Sequence, residues 1–223
     1  MKTTLWPHQA AAVSFARGRA GTLIGHDLGT GKSATAIALA EAWDAHRVLV
    51  ACPLSVVGVW PEQIRRHSSL AWRVERLDLG GVAAKTRLAE QALRAERVMI
   101  VINHESAWRE PFRSLALRTP WDLVVVDESH RIAAAGSRVS LFFAALGARV
   151  PRRLGLTGTP LCHSPLSAYG QARFLDRTAF GTSFVRFRAR HCIMGGWRGP
   201  DGVPREVIGW HNMNEFEARL AML

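Results

Sequence analysis

The chain has 223 residues, 48% hydrophobic and 21% charged, which excludes a disordered chain and provides for one domain or slightly more. No apolar run reaches the roughly 18 residues of a membrane span, and Met1–His8 contains no apolar leader segment, so neither a transmembrane helix nor a signal peptide is expected. Lysine plus arginine number 29 against 18 acids, a net charge of +11, which points to a polyanionic partner unless an arginine-rich codon bias is the source.

In chain order, short β-branched runs alternate with helical patterns. Strands are expected at Thr22–Gly25, Arg47–Ala51, Arg97–Ile102, Asp122–Val126 and Leu154–Leu156. Helices are expected at Lys32–His46, Ser55–His67, Ala83–Glu96 and Val139–Ala148. This alternation predicts an α/β fold, a parallel sheet with helices on both faces. Val98–Ile102 and Val124–Val126 are apolar throughout, as central strands buried on both sides should be. Ligands of such sheets bind at the carboxyl ends of the strands.

Past Pro160 the strand signals fade and Gly, Pro and Arg increase, so residues 161–223 are expected to form a mainly helical, basic extension of a lobe at 1–160. Residues 149–223 carry 11 Arg against 5 acids. Phe180, Phe184 and Phe187 fall at i, i+4, i+7 and predict an amphipathic helix packed by its Phe side. Met194–Gly202 reads as a loop and Asn214–Leu223 as a helix. Arg186, Arg188 and Arg190 read either as a polyanion contact or as a solvated face. Cys52, Cys162 and Cys192 lack metal or disulfide spacing and predict buried reduced thiols.

Three strand ends carry chemistry. The first strand runs into Gly25-His26-Asp27-Leu28-Gly29-Thr30-Gly31-Lys32-Ser33. Glycines there let backbone N–H groups turn inward around phosphate oxygens, and the following helix aims its N-terminus at the same charge. Lys32 suits the β/γ phosphates and the Ser33 hydroxyl suits Mg²⁺. The strict phosphate-loop pattern has Gly where this chain has His26, and a tight helix start is the plainer alternative. The second end is Val126-Asp127-Glu128-Ser129-His130. Two adjacent carboxylates are costly to bury without a counter-ion, and Mg²⁺ supplies one, with Asp127 on the metal and Glu128 polarising a water. A helix N-cap with dipole-favoured acids is the alternative. The third end is Leu154-Gly155-Leu156-Thr157-Gly158-Thr159-Pro160, where Pro160 ends the element.

Together these pieces resemble the first motor lobe of superfamily-two helicases, specifically the Swi/Snf-type double-stranded-DNA translocases. The resemblance runs along nearly the whole chain. Leu5-Trp6-Pro7-His8-Gln9 is similar to the family's opening motif, which implies that Gln9 reads the adenine edge. Asp27, Gly29, Thr30, Gly31, Lys32 and Ser33 are implied to hold the phosphates and, through Ser33 with Asp127, Mg²⁺. Lys32, Asp127 and Glu128 are the implied catalytic groups. His130, Thr157, Gly158 and Thr159 are implied to couple nucleotide state to DNA grip. Ser55, Trp60 and Arg131 are implied DNA contacts, with Asn103-His104-Glu105 as a further DNA-facing motif. Tyr169-Gly170-Gln171, Phe174-Leu175-Asp176 and Gly209–Asn212 are similar to compact bacterial and phage members. Ala133 stands where the family often has a basic residue, Val59 where it often has a polar one, and His104 where Tyr is more frequent.

The resemblance implies a RecA-like sheet, ATP and Mg²⁺ as cofactors, and a cytoplasmic location with no membrane partner. It implies double-stranded DNA and a second RecA-like lobe as partners. Residues 161–223 are too few for that second lobe, whose arginine finger contributes about 10³–10⁵ in rate in other phosphate-loop enzymes. This chain alone is therefore expected to turn over little or no ATP. The alternatives are a non-hydrolysing ATP- and DNA-binding module serving a separate lobe, or an ATPase that acts on a protein.

Overall fold

A computed structural model describes residues 1–161 and 164–223. Cys162 lies outside them; Cys52 and Cys192 are free and buried, as expected. The elements run α1 (Pro7–Arg17), β1 (Gly21–Gly25), α2 (Lys32–Ala42), β2 (Arg47–Cys52), α3 (Leu54–Val57), α4 (Trp60–His67), β3 (Arg73–Leu77), α5 (Val82–Ala92), β4 (Val98–Asn103), α6 (His104–Ala107) and α7 (Phe112–Arg118). There follow β5 (Leu123–Asp127), a 3-10 turn (Ser129–Ile132), α8 (Arg138–Gly147), β6 (Arg152–Thr157), α9 (Ser167–Leu175), α10 (Phe184–His191), β7 (Cys192–Arg198), β8 (Pro204–Trp210) and α11 (Met213–Leu220).

Six strands form one parallel sheet in the order β1-β6-β5-β2-β4-β3. The central strands are the apolar ones. Every residue of β4 and β5 is buried. Alternate side chains point to opposite faces. Leu49, Ile100, Val124 and Val126 meet Trp121, Phe142 and Phe143 on one face. Val48, Val50, Val101 and Val125 meet Ile37, Leu39 and Trp60 on the other. Helices therefore cover both faces, as the alternation predicts.

Three local features depart from the sequence expectations. The edge strand β3 was not expected; only its Leu77 is buried. Arg73 pairs with Glu75 at 3.0 Å and Arg76 with Asp78 at 2.7 Å, charges that suit a solvated edge and hide the strand pattern. The helix expected over Ser55–His67 is two helices, because Pro61 occupies the first turn of α4 and restarts the chain there. The helix expected to reach His46 stops at Ala42. There Asp44 turns left-handed (φ 48°), and the N–H groups of Ala45 and Asp44 bond back to Ala40 and Glu41.

Past β6 the described residues form α9, α10, α11 and the antiparallel β7–β8 hairpin, which contains much of the expected loop. Gly195 hid that strand. A Cβ there would meet Ile208 Cδ1 at 2.4 Å, so the exposed Ile208 side chain lies over the glycine from the opposite strand. Phe187 meets Phe180 edge-on (5.1 Å) and Tyr169 at a tilt (5.0 Å), and Phe180 stacks on Phe216 (5.2 Å). The aromatic face thus packs as expected, although Phe180 precedes the helix. These rings belong to the same core as Phe142 and Trp121.

Candidate nucleotide site

Because β1, β6 and β5 are neighbours, the three chemistry-bearing strand ends lie side by side. The loop after β1 turns left-handed at Gly29 and Gly31, both with φ 77°. Gly31 is also tightly packed, since a Cβ would meet Gln9 Nε2 at 2.3 Å. His26 has no positive φ, so the glycine of the strict pattern is not needed there. Lys32 is buried, and its Nζ donates to the carbonyls of His26 and Asp27, both at 2.9 Å. Thr30 Oγ1 donates to Asp27 O at 2.6 Å. Gln9 ties α1 to the loop: Nε2 donates to Thr30 O at 2.9 Å, and Oε1 accepts the Trp6 N–H at 2.9 Å. His8 Nε2 lies 3.0 Å from the same Thr30 carbonyl, and its ring meets His26 edge-on at 5.1 Å. Ser33 is half-buried in the first turn of α2.

Asp127 ends β5 and is buried. Burial, and then the neighbouring Glu128 charge, push its carboxyl up to about 6. Its Oδ1 accepts the Glu128 N–H at 3.0 Å and its Oδ2 the Trp60 indole N–H at 3.2 Å. Glu128 is left-handed, φ 50° and ψ 54°, an uncommon state for a glutamate. His130 Nδ1 lies 3.3 Å from Glu128 Oε2 and 3.2 Å from Thr157 Oγ1. Thr157 Oγ1 accepts the Thr159 N–H at 3.0 Å. A polar chain therefore runs from the end of β5 to the end of β6. Asp27, Leu28, Glu128, His130, Gly158 and Thr159 line one open cleft of 580 Å³.

In the sequence Gln171 stands out only within the family-like string Tyr169-Gly170-Gln171. It is buried, accepts from Ser129 Oγ at 2.7 Å and donates to Pro160 O at 2.7 Å. It thereby joins the loop after β5 to the loop after β6. The donor set fits Mg²⁺ with a nucleotide: a buried carboxyl with a raised pKa, a buried lysine bonded only to loop carbonyls, and a hydroxyl at a helix start. Among the described residues there is no cluster of three His, Cys, Asp or Glu.

The expected DNA contacts divide. Ser55 and Arg131 are exposed, with Arg131 3.4 Å from Glu105 Oε1. Trp60 is a correction. Its side chain is 1% exposed and bonded to Asp127, so it faces the interior and not a duplex. Asn103 and His104 are likewise buried. Asn103 Oδ1 accepts from Lys85 Nζ at 2.8 Å. His104 Nε2 lies 2.8 Å from Asp127 O, and burial holds that imidazole near 4, so it is neutral. In the extension, Arg190 pairs with Glu215 at 2.8 Å.

Residues 8–194 match the family model of the SNF2-related domain. The chain belongs to that family. This SNF2-related domain is 27% identical over 195 residues to a Caenorhabditis elegans homolog of the SWI/SNF-related matrix-associated actin-dependent regulator of chromatin subfamily A-like protein 1, covering 84% of this chain and 26% of that protein. It is 27% identical over 184 residues to a probable global transactivator of Orgyia pseudotsugata multicapsid polyhedrosis virus, covering 77% and 35%. The domain thus spans about a quarter to a third of these relatives. It superposes on the Sulfolobus solfataricus SWI2/SNF2 ATPase core solved in complex with dsDNA with a TM-score of 0.70 at 23% identity, covering 85% of this chain and 39% of that one. That likeness shows the fold, the RecA-like sheet of an SNF2 first lobe. Among the described residues no helix is long and apolar enough to cross a membrane.

Proposed function

We propose that this chain is the ATP-binding first lobe of a DNA-dependent ATPase that translocates on double-stranded DNA. The observation that carries this reading is the convergence of the Lys32 loop, the Asp127–Glu128 pair and the Thr157–Thr159 turn on three adjacent strand ends. Bound MgATP supplies a phosphoanhydride whose γ-phosphoryl group is transferred to water. Gly29, Thr30, Gly31 and Lys32 would hold its phosphates, with Asp27 at the mouth of the loop. Ser33 and Asp127 would hold Mg²⁺. Gln9 keeps one lone pair and one N–H beyond its two present bonds, enough to read an adenine edge. Glu128 is placed to accept a proton from water, and the neighbouring His130 imidazole orients it. Through Thr157 and Thr159 that pair reaches the β6 loop, the route by which nucleotide state passes to DNA grip. Ser55 and Arg131 are the proposed duplex contacts, and the setting is cytoplasmic.

A second reading has its own observation. Among the described residues that line the cleft there is no arginine, and a second RecA-like lobe is the source proposed for the charge that completes hydrolysis. On that reading the chain binds ATP and DNA without turnover until the lobe joins it. The test is MgATP binding and ATP turnover by the purified chain, with and without duplex DNA, beside Lys32→Ala. We expect binding that Lys32→Ala removes, and negligible turnover. Absence of MgATP binding overturns the nucleotide reading. DNA-stimulated, Lys32-dependent turnover overturns the need for a second lobe.

A further inference from the structure

The described residues contain a second cleft, of 730 Å³, away from the nucleotide site. Its floor is the half-buried Trp108, which follows directly on α6. Two guanidinium groups lie over this one indole: Arg109 at 5.4 Å and Arg138 at 5.8 Å from the ring centroid. Arg113 lines the same cleft. The single acid there, Glu110, is taken up by Arg113 at 3.3 Å and by the Ser114 N–H at 3.1 Å. Neither Arg109 nor Arg138 has a carboxylate partner among the described residues. Nine other arginines do have one, among them Arg118 and Arg131.

This arrangement works against the isolated fold. Two like charges share one ring. Arg138 also opens α8, at the positive end of the helix dipole, where a cation is disfavoured. Both penalties reverse when an anion enters the cleft, because two guanidiniums and a helix start then surround it. The cation–π contacts hold both forks in place beforehand, so little side-chain entropy remains to be lost.

We propose that the Trp108 cleft is a phosphodiester site that grips the backbone of the same duplex. This inference rests on the DNA reading above. Its place in the chain favours DNA over other anions. Glu105, three residues before Trp108, holds Arg131, and Arg138 follows Arg131 along the segment that leaves the 3-10 turn. The 3-10 turn that carries Arg131 packs against α8, which Arg138 opens, and α8 packs against α6, which Trp108 follows.

The test is binding of a fluorescent duplex by the full chain, measured by anisotropy over a range of salt. Arg109→Ala/Arg138→Ala is compared with wild type and with Arg118→Ala, a cation already paired with Glu90. We expect the double variant to bind several-fold more weakly and the slope of log K against log salt to become shallower by about 2, roughly 0.9 per phosphate released. Arg118→Ala should leave both unchanged. Trp108→Leu keeps both charges but frees the forks, so binding should weaken at an unchanged slope. Melting temperature and MgATP binding of each variant report the fold, and Arg109→Gln/Arg138→Gln replaces any variant that fails to fold. Wild-type affinity and slope in the double variant overturn the proposal and leave the DNA reading standing. No duplex binding by wild type overturns the DNA reading and the site with it. Binding of a poly-glutamate peptide that depends on Arg109 and Arg138, with duplex affinity unchanged, assigns the cleft to an acidic protein and overturns the phosphodiester.

Discussion

Asp127 carries an electrostatic load that the rest of the site is arranged around. Its folded carboxyl titrates near 6, above the ordinary value of 3.8. An acid whose pKa rises on folding destabilises the fold once ionised, so the penalty is absent below about pH 4, grows between pH 4 and 6, and persists above. Asp127→Asn should therefore raise stability at pH 7 by about 2–3 kcal/mol in the absence of Mg²⁺, and change it little at pH 4. Chemical denaturation at the two pH values checks this, and equal gains at both would refute it. The same variant should lose the Mg²⁺ dependence of nucleotide binding. Trp60→Phe removes the N–H that Asp127 Oδ2 accepts and also leaves a cavity where the larger buried indole packed. Loss of one hydrogen bond to a charged group predicts a cost of about 1.5–3 kcal/mol. It also predicts weaker Mg²⁺-dependent nucleotide binding, while binding in EDTA stays as in wild type. Nothing in the sequence distinguished an indole that faces a duplex from one that braces a carboxylate. The motif position gave one answer, and only burial gives the other.

At the scale of elements, α9 is locked onto the turn that carries Glu128 and His130. A Cβ on Gly170 would meet Ile132 O at 2.2 Å and Ala133 O at 2.5 Å. Gly170→Ala must therefore push α9 away, at a cost of about 1–3 kcal/mol, and stretch the Ser129–Gln171–Pro160 tie. A lowered denaturation midpoint together with weakened nucleotide binding is the expected result, and a midpoint equal to wild type would show that the contact yields freely. Most elements were legible in the sequence because their periods are clear. The central strands β2, β4 and β5 are continuous apolar runs, and the glycine-rich loop and acidic pair stand at strand ends. The elements that escaped are those whose pattern is set by something outside their own side chains. In β3 an edge strand is solvated by Arg and Glu. In β7 a glycine lies under a side chain of the opposite strand, and in α4 a proline restarts a helix that hydrophobic spacing alone would continue.

For the whole molecule, sheet order makes the site. The loops after β1, β6 and β5 are far apart in the chain and adjacent in space. The nucleotide site was therefore legible as three motifs, while their connection through His130, Thr157 and Gln171 was not, because hydrogen bonds between loops leave no periodic mark. The basic extension shares the main core through Phe180, Phe187 and Phe216, so it should unfold with the sheet. A single cooperative transition, seen alike by far-ultraviolet circular dichroism and by aromatic near-ultraviolet signals, is expected. Two separated transitions would show an extension that melts independently.

The bond between Trp60 and Asp127 also equips the chain with a spectroscopic label. The sequence contains eight tryptophans, each of which gives one indole resonance in a proton–nitrogen correlation spectrum. The Trp60 resonance is the one donated to the carboxylate that Mg²⁺ would claim. It can be assigned as the signal absent from Trp60→Phe, and its displacement on titration with Mg²⁺ and nucleotide would follow occupancy of the site without any turnover.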